Sequence, residues 1–424
     1  MNIRIYNARI LTMEEDRDIF EGELHVEGNK ITYVGSALPE ADKVWDREIN
    51  ANGNVIMPGF KNAHTHSGMT FLRSYADDLP LLDWLNEQVF PMEAKLTADD
   101  IYHLSKLAIM EYLTSGITAN FDMYLTPDTI AKASRDCGFR TVMTGGLNNF
   151  SQSLEGLEEW FNQYNDPDDL VTFQLGFHAE YTNSKENLEK LAELVHKYQA
   201  PITAHSSESK SEVEGCIERY GVTPTVLFDN LGMFDYGGTY YHCIHMTDED
   251  IRIMAEKGIY VVTNPGSNMK LASGIARIED MLAAGIKVAI GTDGPASNNC
   301  LDMFREMFLV TALAKIKGEN AAALSADHVL RMATVNGAQC MGLQNADVLA
   351  EGKLADIIML DMHQPNMQPI NNIVKNIVYS GSKQNVKMTM VDGKILYEDG
   401  KFYIGAPAEE IYKKANEIIN RMKL

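Results

Sequence analysis

Two histidines that could bind one metal ion follow an apolar run near the start of the chain. His64 and His66 stand on either side of a threonine, shortly after the run of residues 55–60. Side chains two residues apart on an extended strand point to the same face, so both imidazoles can reach one ion. Imidazole is the commonest metal ligand and suits zinc, iron and nickel. Because single His-x-His pairs also arise by chance, the metal-site hypothesis requires further ligands downstream.

Polar side chains also stand at or near the ends of later apolar runs. They are, in chain order, His178, His205, His242 and Asp293. The pair His64 and His66 together with His205 and Asp293 would form a shell of nitrogen and oxygen ligands without thiolate, which suits a catalytic ion that keeps a position open for water. We therefore assign one metal ion four ligands: His64, His66, His205 and Asp293. Taken singly, each is more often a structural residue, but their shared position at strand ends favours the metal site.

Two further residues could perform acid–base chemistry beside such an ion. Glu208 lies three residues after His205, close enough to accept a proton from metal-bound water or to pass one to a leaving group. Its structural alternative is a charge favoured by the dipole at a helix N-terminus. His242 could polarise the attacked centre or stabilise developing charge. The nearby His245 would point the opposite way on a strand, so we predict a structural role for it.

A barrel is the fold that would bring these strand ends together. Short β-branched or apolar runs alternate with longer segments of helical spacing, such as residues 98–114, 185–198 and 248–257. The runs cover residues 55–60, 117–124, 140–147, 171–181, 200–206, 239–246, 259–264 and 287–292. Eight such units predict an α/β fold with a closed (β/α)8 TIM barrel, whose active site lies at the C-terminal ends of its strands. Counting alone leaves an open, doubly wound sheet as the alternative.

The two ends of the chain have a different sequence pattern, which is typical of antiparallel strands. Apolar and polar residues alternate near the N-terminus around a Gly28-Asn29 turn, and again near the C-terminus around the turns at Asp392-Gly393 and Asp399-Gly400. Neither piece could bury a core alone. We therefore predict one small discontinuous β-sandwich domain, with boundaries at residues 1–57, 58–345 for the barrel, and 346–424. Residues 408–424 are predicted to form a terminal amphipathic helix.

Composition limits the partners. The 424 residues carry 37 basic and 59 acidic side chains, a net charge of −22, which argues against nucleic acid or an anionic membrane and favours a small-molecule substrate. The five cysteines are scattered and form no Cys-x-x-Cys pair, so neither a disulfide framework nor a thiolate zinc site is expected and a cytoplasmic location fits. We find no signal-peptide pattern and no run of bilayer length.

Several short motifs together resemble a known enzyme superfamily. They are, in order, Pro58-Gly59-Phe60, Asn62-Ala63-His64-Thr65-His66, Thr203-Ala204-His205-Ser206-Ser207-Glu208, His242-Cys243, Asn264-Pro265-Gly266-Ser267-Asn268 and Gly291-Thr292-Asp293-Gly294. Their order and spacing are similar to those of the amidohydrolase superfamily. The closest resemblance within it is to the 5′-methylthioadenosine/S-adenosylhomocysteine deaminases, and it spans nearly the whole chain.

The resemblance implies a role for each site residue. One zinc ion, with ferrous iron as the alternative, would be bound by the four ligands assigned above and would lower the pKa of its water. Asp293 would take the proton from that water, Glu208 would protonate the ring nitrogen of the substrate, and His242 would stabilise the attacking oxygen before ammonia leaves. His178 stands where dinuclear relatives place a bridging lysine, which favours a single metal ion.

Substrate contacts also follow from the resemblance. Glu93 matches a carboxylate that binds ribose hydroxyls, His178 matches a substrate-contacting histidine, and Glu208 and Asp293 also face the substrate. Gly145 occupies the place of an arginine that grips the amino-acid carboxylate of S-adenosylhomocysteine. Because the guanidinium fork is not readily replaced, we expect adenosine, 5′-deoxyadenosine or 5′-methylthioadenosine to be preferred. Homo-oligomers are common in the superfamily and are expected here.

Two rival hypotheses stay open at this point. The same metal shell serves hydrolases of other aminated or halogenated heterocycles, such as guanine, cytosine or triazines, although Glu93 would have no ribose to hold in them. A non-catalytic scaffold is the second, but such relatives typically lose metal ligands and none is missing here.

Overall fold

The computed structural model describes residues 1–39, 44–75, 77–79 and 83–423. Leu424, the last residue of the predicted terminal helix, lies outside these ranges. The described strands are β1 Asn2–Ile10, β2 Phe20–Glu27, β3 Lys30–Gly35, β4 Arg47–Asn50, β5 Val55–Pro58, β6 Phe60–Thr65, β7 Ile117–Met123, β8 Arg140–Thr144, β9 Val171–Gly176, β10 Ile202–Ser206, β11 Gly238–His242, β12 Tyr260–Thr263, β13 Val288–Ile290, β14 Ile357–Leu360, β15 Val386–Val391, β16 Lys394–Glu398 and β17 Lys401–Phe402.

Helices follow most of the barrel strands. The described α-helices are Phe90–Glu93, Ala98–Thr114, Pro127–Cys137, Leu154–Gln163, Lys185–Tyr198, Lys210–Tyr220, Pro224–Asn230, Asp248–Glu256, Pro265–Lys270, Ile278–Ala283, Met303–Lys317, Ala326–Arg331, Gly337–Cys340, Ile373–Lys375 and Ala408–Met422. Tighter 3₁₀ segments are Ser67–Leu72, Glu180–Thr182, Pro365–Met367 and Lys383–Asn385, and wider π segments are Trp84–Val89, Met332–Asn336 and Asn376–Ser380. Among the described residues, no helix combines the length and apolar composition needed to cross a bilayer.

Capping residues determine where one of these helices begins and where the next one ends. The side chain of Thr97 accepts from the backbone of Asp100, whose carboxylate bonds back to the Thr97 backbone, which is a capping box at the start of Ala98–Thr114. Pro127–Cys137 ends at Gly138, which has a left-handed φ of 71°. The capping box explains why the helix predicted at residues 98–114 is found to begin at Ala98.

A parallel barrel forms the larger unit, as predicted. Within the described ranges, eight strands pair in the order β13-β12-β11-β10-β9-β8-β7-β6, and every pair is parallel. Asn62 joins the two ends of this order, because its amide oxygen accepts from the Thr292 backbone and its nitrogen donates to the Thr292 hydroxyl. Gly291 permits the approach, since a Cβ there would lie 2.8 Å from the backbone of His64. The α/β barrel fold is therefore confirmed.

The first predicted barrel strand is wrong in its position. Residues 55–60 divide into β5, which pairs with β1 and β14 outside the barrel, and the start of β6, which is the first barrel strand. The division occurs at Gly59, whose Cβ would lie 2.0 Å from the Thr118 side chain. Two buried strands in succession look like one run, because both are apolar and only a single glycine separates them.

Strands from both ends of the chain make one mixed sheet. Its order is β17-β16-β15-β14-β5-β1-β2-β3, with β4 beside β1, among the described residues. The hairpin around Gly28-Asn29 and those at Asp392-Gly393 and Asp399-Gly400 are present as predicted. Buried side chains of both ends, such as Ile5 and Met390, share one apolar core. The exact boundaries after residues 57 and 345 stay a prediction.

A buried ion pair connects the bottom of the barrel to this sheet. Both Nε and Nη2 of Arg140 in β8 donate to the Asp356 carboxylate, at 2.7 and 3.1 Å, and Nη2 also reaches Asp392 at 3.1 Å. The Arg140 and Asp356 side chains are at most 3% exposed. This contact lies at the opposite end of the strands from the predicted site residues and holds the two units together.

Candidate functional site

A cleft opens at the C-terminal ends of the barrel strands and contains the predicted site residues. Its free space is about 880 Å³, including the open mouth. Seven of the eight predicted residues line it: His66, Glu93, His178, His205, Glu208, His242 and Asp293. His64 lies immediately below, fully buried, with its ring centroid 4.8 Å from those of His66 and His205. The barrel thus brings the whole predicted set together.

Three of the histidines are held through Nδ1, which leaves Nε2 for the site. Nδ1 of His66 lies 2.5 Å from the Met123 carbonyl oxygen, Nδ1 of His205 lies 2.7 Å from the His178 carbonyl oxygen, and Nδ1 of His242 lies 2.7 Å from Oδ1 of Asn268. Each acceptor requires the proton on Nδ1. Such contacts are the usual means by which proteins orient metal-binding imidazoles.

His64 differs from the other three in its surroundings. Both of its ring nitrogens are buried and neither forms a hydrogen bond with a described residue. The ring stacks on Tyr241 with a centroid distance of 3.8 Å. Burial lowers the pKa of His64 to about 3, so the imidazole is neutral and keeps a lone pair. A cation bound at one of these nitrogens would give this buried polar atom the partner that it lacks.

Asp293 is oriented from three sides at the end of β13. Its Oδ2 accepts from the hydroxyls of Ser267 and Ser297, at 2.6 and 2.9 Å, and its Oδ1 lies 3.2 Å from Nε2 of His66 and 3.5 Å from that of His64. Burial would raise the pKa of Asp293, but the electrostatic attraction of the nearby His64 and His66 rings outweighs burial and holds the pKa well below the ordinary value. The side chain is therefore an ionised acceptor facing the histidines.

The donor set fits one metal ion. Ligand atoms of His64, His66 and Asp293 lie within 4.8 Å of one another, and so do those of His64, His205 and His242. Both groups share His64, so they surround one region of the cleft. Imidazole nitrogens and one carboxylate oxygen suit zinc and other borderline divalent ions. His242 approaches closely enough to count geometrically as a ligand, although it was assigned an electrostatic role.

The acid–base candidates face each other across the same region. Nε2 of His242 lies 3.8 Å from Oε2 of Glu208 and 3.9 Å from Oδ2 of Asp293. Burial and the charge of Asp293 raise the pKa of Glu208, with His242 acting against them. A raised pKa makes this carboxyl a better candidate for a proton donor than an ordinary glutamate. His242 also has a left-handed φ of 70°, a strained conformation that is frequent at functional sites.

Glu93 and His178 lie at the wall of the cleft. Glu93 ends the helix Phe90–Glu93, and burial raises its pKa to about 7 against the opposing influence of Tyr124 and His66. The ring of His178 lies 5.0 Å from that of His205, and burial lowers its pKa to about 4. Nε2 of His245, for which a structural role is predicted, lies 2.7 Å from the Ser273 carbonyl oxygen.

Several residues that orient the site were not assigned roles from sequence. They are Asn62, Ser267, Asn268, Ser297 and Glu212. Most lie inside or next to the quoted motifs, so their proximity to the ligands was the available signal. Glu212 had a local signal, because Ser209-x-x-Glu212 has the spacing of a helix capping box, and Ser297 had no signal beyond its place three residues after the Gly291–Gly294 motif. Which partner each side chain contacts depends on neighbouring strands.

Known proteins match the chain over nearly its full length. Residues 55–396 match the Amidohydrolase family. A 5-methylthioadenosine/S-adenosylhomocysteine deaminase of Caldicellulosiruptor saccharolyticus is 40% identical over 404 residues, 95% of this chain and 94% of that protein. A 5′-deoxyadenosine deaminase of Methanosarcina mazei is 39% identical over 435 residues, 99% of each chain.

A solved structure is similar as well. The crystal structure of an adenosine deaminase from Xanthomonas campestris, with bound zinc, superposes with a TM-score of 0.93 at 30% identity and covers 99% of this chain and 98% of that one. The predicted resemblance is confirmed by these matches. The chain therefore belongs to the amidohydrolase family, and within it to the hydrolytic deaminases.

Proposed function

We propose that this protein is a metal-dependent deaminase of adenine nucleosides that releases ammonia and forms the inosine analogue. The favoured substrates are adenosine, 5′-deoxyadenosine and 5′-methylthioadenosine, with S-adenosylhomocysteine less favoured. One observation carries the proposal: a proton donor, Glu208, and a proton acceptor, Asp293, approach His242 from two sides within 3.9 Å, beside a metal-ligand set.

The side chains have complementary tasks in this reaction. The ionised Asp293 accepts a proton from the attacking water, since its pKa is depressed and its orientation is fixed by two serine hydroxyls. Glu208, whose pKa is raised, donates to the ring nitrogen next to the attacked carbon. Nε2 of His242 is directed into the cleft by the Nδ1 contact to Asn268 and stabilises the attacking oxygen.

The proposed ion is zinc, with ferrous iron as the alternative, held by His64, His66, His205 and Asp293. When bound, such an ion lowers the pKa of water towards neutrality and makes hydroxide available at neutral pH. The two orphaned nitrogens of His64 support an ion at this place. Elemental analysis of the purified protein, combined with loss of activity in a chelator and its return on adding Zn²⁺ or Fe²⁺, tests the proposal.

The residues that line the cleft favour a substrate that has no carboxylate group. None of the described residues that line it is a lysine or arginine. Leu157 fills the space beside Gly145, where a Cβ would lie 2.1 Å from its Cδ1 atom and 2.8 Å from the Gly176 carbonyl oxygen. An arginine could not be placed there without moving Leu157. Apolar side chains such as Trp84, Leu125 and Phe150 line the cleft instead and suit a methyl or methylthio group.

Ammonia release provides the decisive assay. Adenosine, 5′-deoxyadenosine, 5′-methylthioadenosine and S-adenosylhomocysteine should be compared with guanine, cytosine and a chlorotriazine. We expect conversion of the first three nucleosides with higher kcat/KM than S-adenosylhomocysteine. A clear preference for S-adenosylhomocysteine would reject the substrate assignment, and turnover of free bases alone would reject the nucleoside proposal.

A cytoplasmic location and a homo-oligomeric state are part of the proposal. The five cysteines are free, and four of them are buried, which is compatible with a reducing compartment. The oligomeric state is testable by light scattering coupled to size-exclusion chromatography, where a mass near 47.3 kDa would indicate a monomer.

A further inference from the structure

A buried glutamate outside the predicted set holds the turn that carries Glu208. The two carboxylate oxygens of Glu212 accept from two consecutive backbone N–H groups: Oε1 from Ser207 and Oε2 from Glu208, both at 2.8 Å. Glu212 is 5% exposed and lies in the first turn of the helix Lys210–Tyr220. Each oxygen accepts from one of these groups, and the two bonds restrain the two consecutive peptide units that flank the Cα atom of Ser207.

The turn needs this restraint because its backbone is unusual. Ser207 has a left-handed φ of 53°, which a non-glycine residue adopts only when its surroundings impose it. The carbonyl of Ser207 accepts from the N–H groups of Ile244 and His245, at 3.0 and 2.9 Å. Those residues lie two and three positions after His242, the last residue of β11. The carbonyl side of the turn is thus fastened to the His242 loop, and the N–H side is fastened to Glu212.

We propose that Glu212 is a positioning residue that sets the location of the Glu208 carboxyl relative to His242. The proposal rests on the proposed function, in which Glu208 donates the proton. A carboxylate suits the task because it offers two acceptor oxygens and no donor, whereas a glutamine would turn an N–H₂ group towards one of the two backbone N–H groups.

Two further observations agree with a role beyond helix capping. Ser209 is the N-cap and already accepts from the Glu212 backbone at 3.1 Å, so the helix start has its usual cap. The Glu212 side chain extends past this cap to residues that precede the helix. The charge of Glu208 also contributes, after burial, to raising the pKa of Glu212 to about 7, which indicates that the two carboxyls are close enough to interact.

The test compares Glu212→Gln and Glu212→Ala with a matched control on the same helix. Glu214 is an exposed partner of Lys210, and Glu214→Gln should leave kcat and KM unchanged. We expect Glu212→Gln to lower kcat by about 10- to 100-fold with little change in KM or metal content, since small displacements of a reacting group have effects of this size. Glu212→Ala should lose more than Glu212→Gln.

A double-mutant cycle distinguishes positioning from general damage. If Glu212 acts through Glu208, adding Glu212→Gln to Glu208→Gln should cause no further loss of kcat. Additive losses, or a fall in kcat that only follows a fall in folded fraction or metal content, would overturn the proposal. Full activity of Glu208→Gln alone would instead overturn the assigned role of Glu208, so the two failures are distinguishable.

Hydrogen exchange of the unmodified protein gives a second measurement that needs no variant to fold. The amides of Ser207 and Glu208 should be protected in a peptide that covers residues 203–212, because both donate to a buried carboxylate. Rapid exchange of both amides in the native enzyme would reject the two hydrogen bonds to Glu212, which we call the Glu212 clamp. In folded Glu212→Ala, the same peptide should take up more deuterium, and unchanged uptake would contradict the proposal.

Discussion

Nδ1 of His242 lies 2.7 Å from Oδ1 of Asn268, a contact between the ends of two adjacent barrel strands. Asn268 belongs to the helix Pro265–Lys270, which follows β12, and His242 ends β11. The amide oxygen keeps the proton on Nδ1 and turns Nε2 towards Glu208 and Asp293. The tautomer of His242 is therefore determined by a neighbouring loop.

Asn268→Ala is expected to lower kcat by about 10- to 100-fold, because His242 would lose its fixed tautomer and orientation. KM should change little, since the contact lies behind the imidazole. Met269→Ala, at an exposed position of the same helix, is the control. Steady-state kinetics on adenosine provide the measurement, and an equal effect of both substitutions would contradict the role of Asn268.

Glu93→Ala should reduce kcat/KM for nucleosides far more than for any free base that is turned over. The reason is that the proposed ribose contact is lost only where a ribose is present, and a buried hydrogen bond to a charged group contributes about 1.5–3 kcal/mol. That corresponds to a loss of about 10- to 150-fold for adenosine. Equal losses for both classes would favour the rival assignment to a free heterocycle.

Gly145→Ala should destabilise the protein by about 1–3 kcal/mol, because the added Cβ would collide with Leu157. Gly156→Ala is a matched control in the neighbouring helix, where a Cβ would meet its neighbours at 3.5 Å or more. It should be neutral or slightly stabilising. Thermal unfolding of both variants checks the prediction; equal melting temperatures would show that Leu157 can move aside.

Arg140→Met should destabilise the protein by about 3–5 kcal/mol, because it leaves the buried Asp356 carboxylate without its guanidinium partner. Arg252→Met removes an exposed pair with Glu256 and is expected to cost less than about 1 kcal/mol. Chemical denaturation of the two variants provides the comparison. Similar losses in both would mean that the buried pair contributes no more than a surface pair.

Glu306 should make stability fall as the pH rises from about 5 to 8. This carboxyl is fully buried, accepts from the Gly266 backbone and the Asn298 amide at 2.8 Å each, and burial raises its pKa from 4.5 to about 7. Between these values the folded state binds more protons than the unfolded state. The group's contribution is therefore complete below pH 4.5 and is lost as the pH rises through 7.

The expected change is on the order of 3 kcal/mol. Glu306→Gln removes the titration, so the stability difference between wild type and variant should shift in favour of the variant at higher pH. Melting temperatures at several pH values measure this shift, with the exposed Glu214→Gln as control. A difference that is constant with pH would show that the Glu306 carboxyl does not titrate in this range.

The kinds of residue in the site, and the repeat that carries them, were accessible from sequence. His64, His66, His205 and Asp293 could be grouped because parallel strands of a barrel all end at one face, so a residue's place at the end of a run predicts its location. The helix Ala98–Thr114 could be predicted from its helical spacing, because that pattern is local, and the capping box at its start is local as well. The identity of the metal ion and the specific roles of Glu208 as proton donor and Asp293 as proton acceptor came from the resemblance.

What the tertiary structure decided was which atoms meet. The division of residues 55–60 between two sheets, the orientation of His242 by Asn268, the clamp of Glu212 on the Glu208 turn and the filling of the Gly145 site by Leu157 were not evident from the chain alone. Each depends on side-chain shape and backbone direction in segments brought together by the fold, and none has a sequence pattern that specifies its partner. The sequence by itself therefore determined the chemistry available to this protein, whereas packing between strand ends determined the geometry in which that chemistry can act.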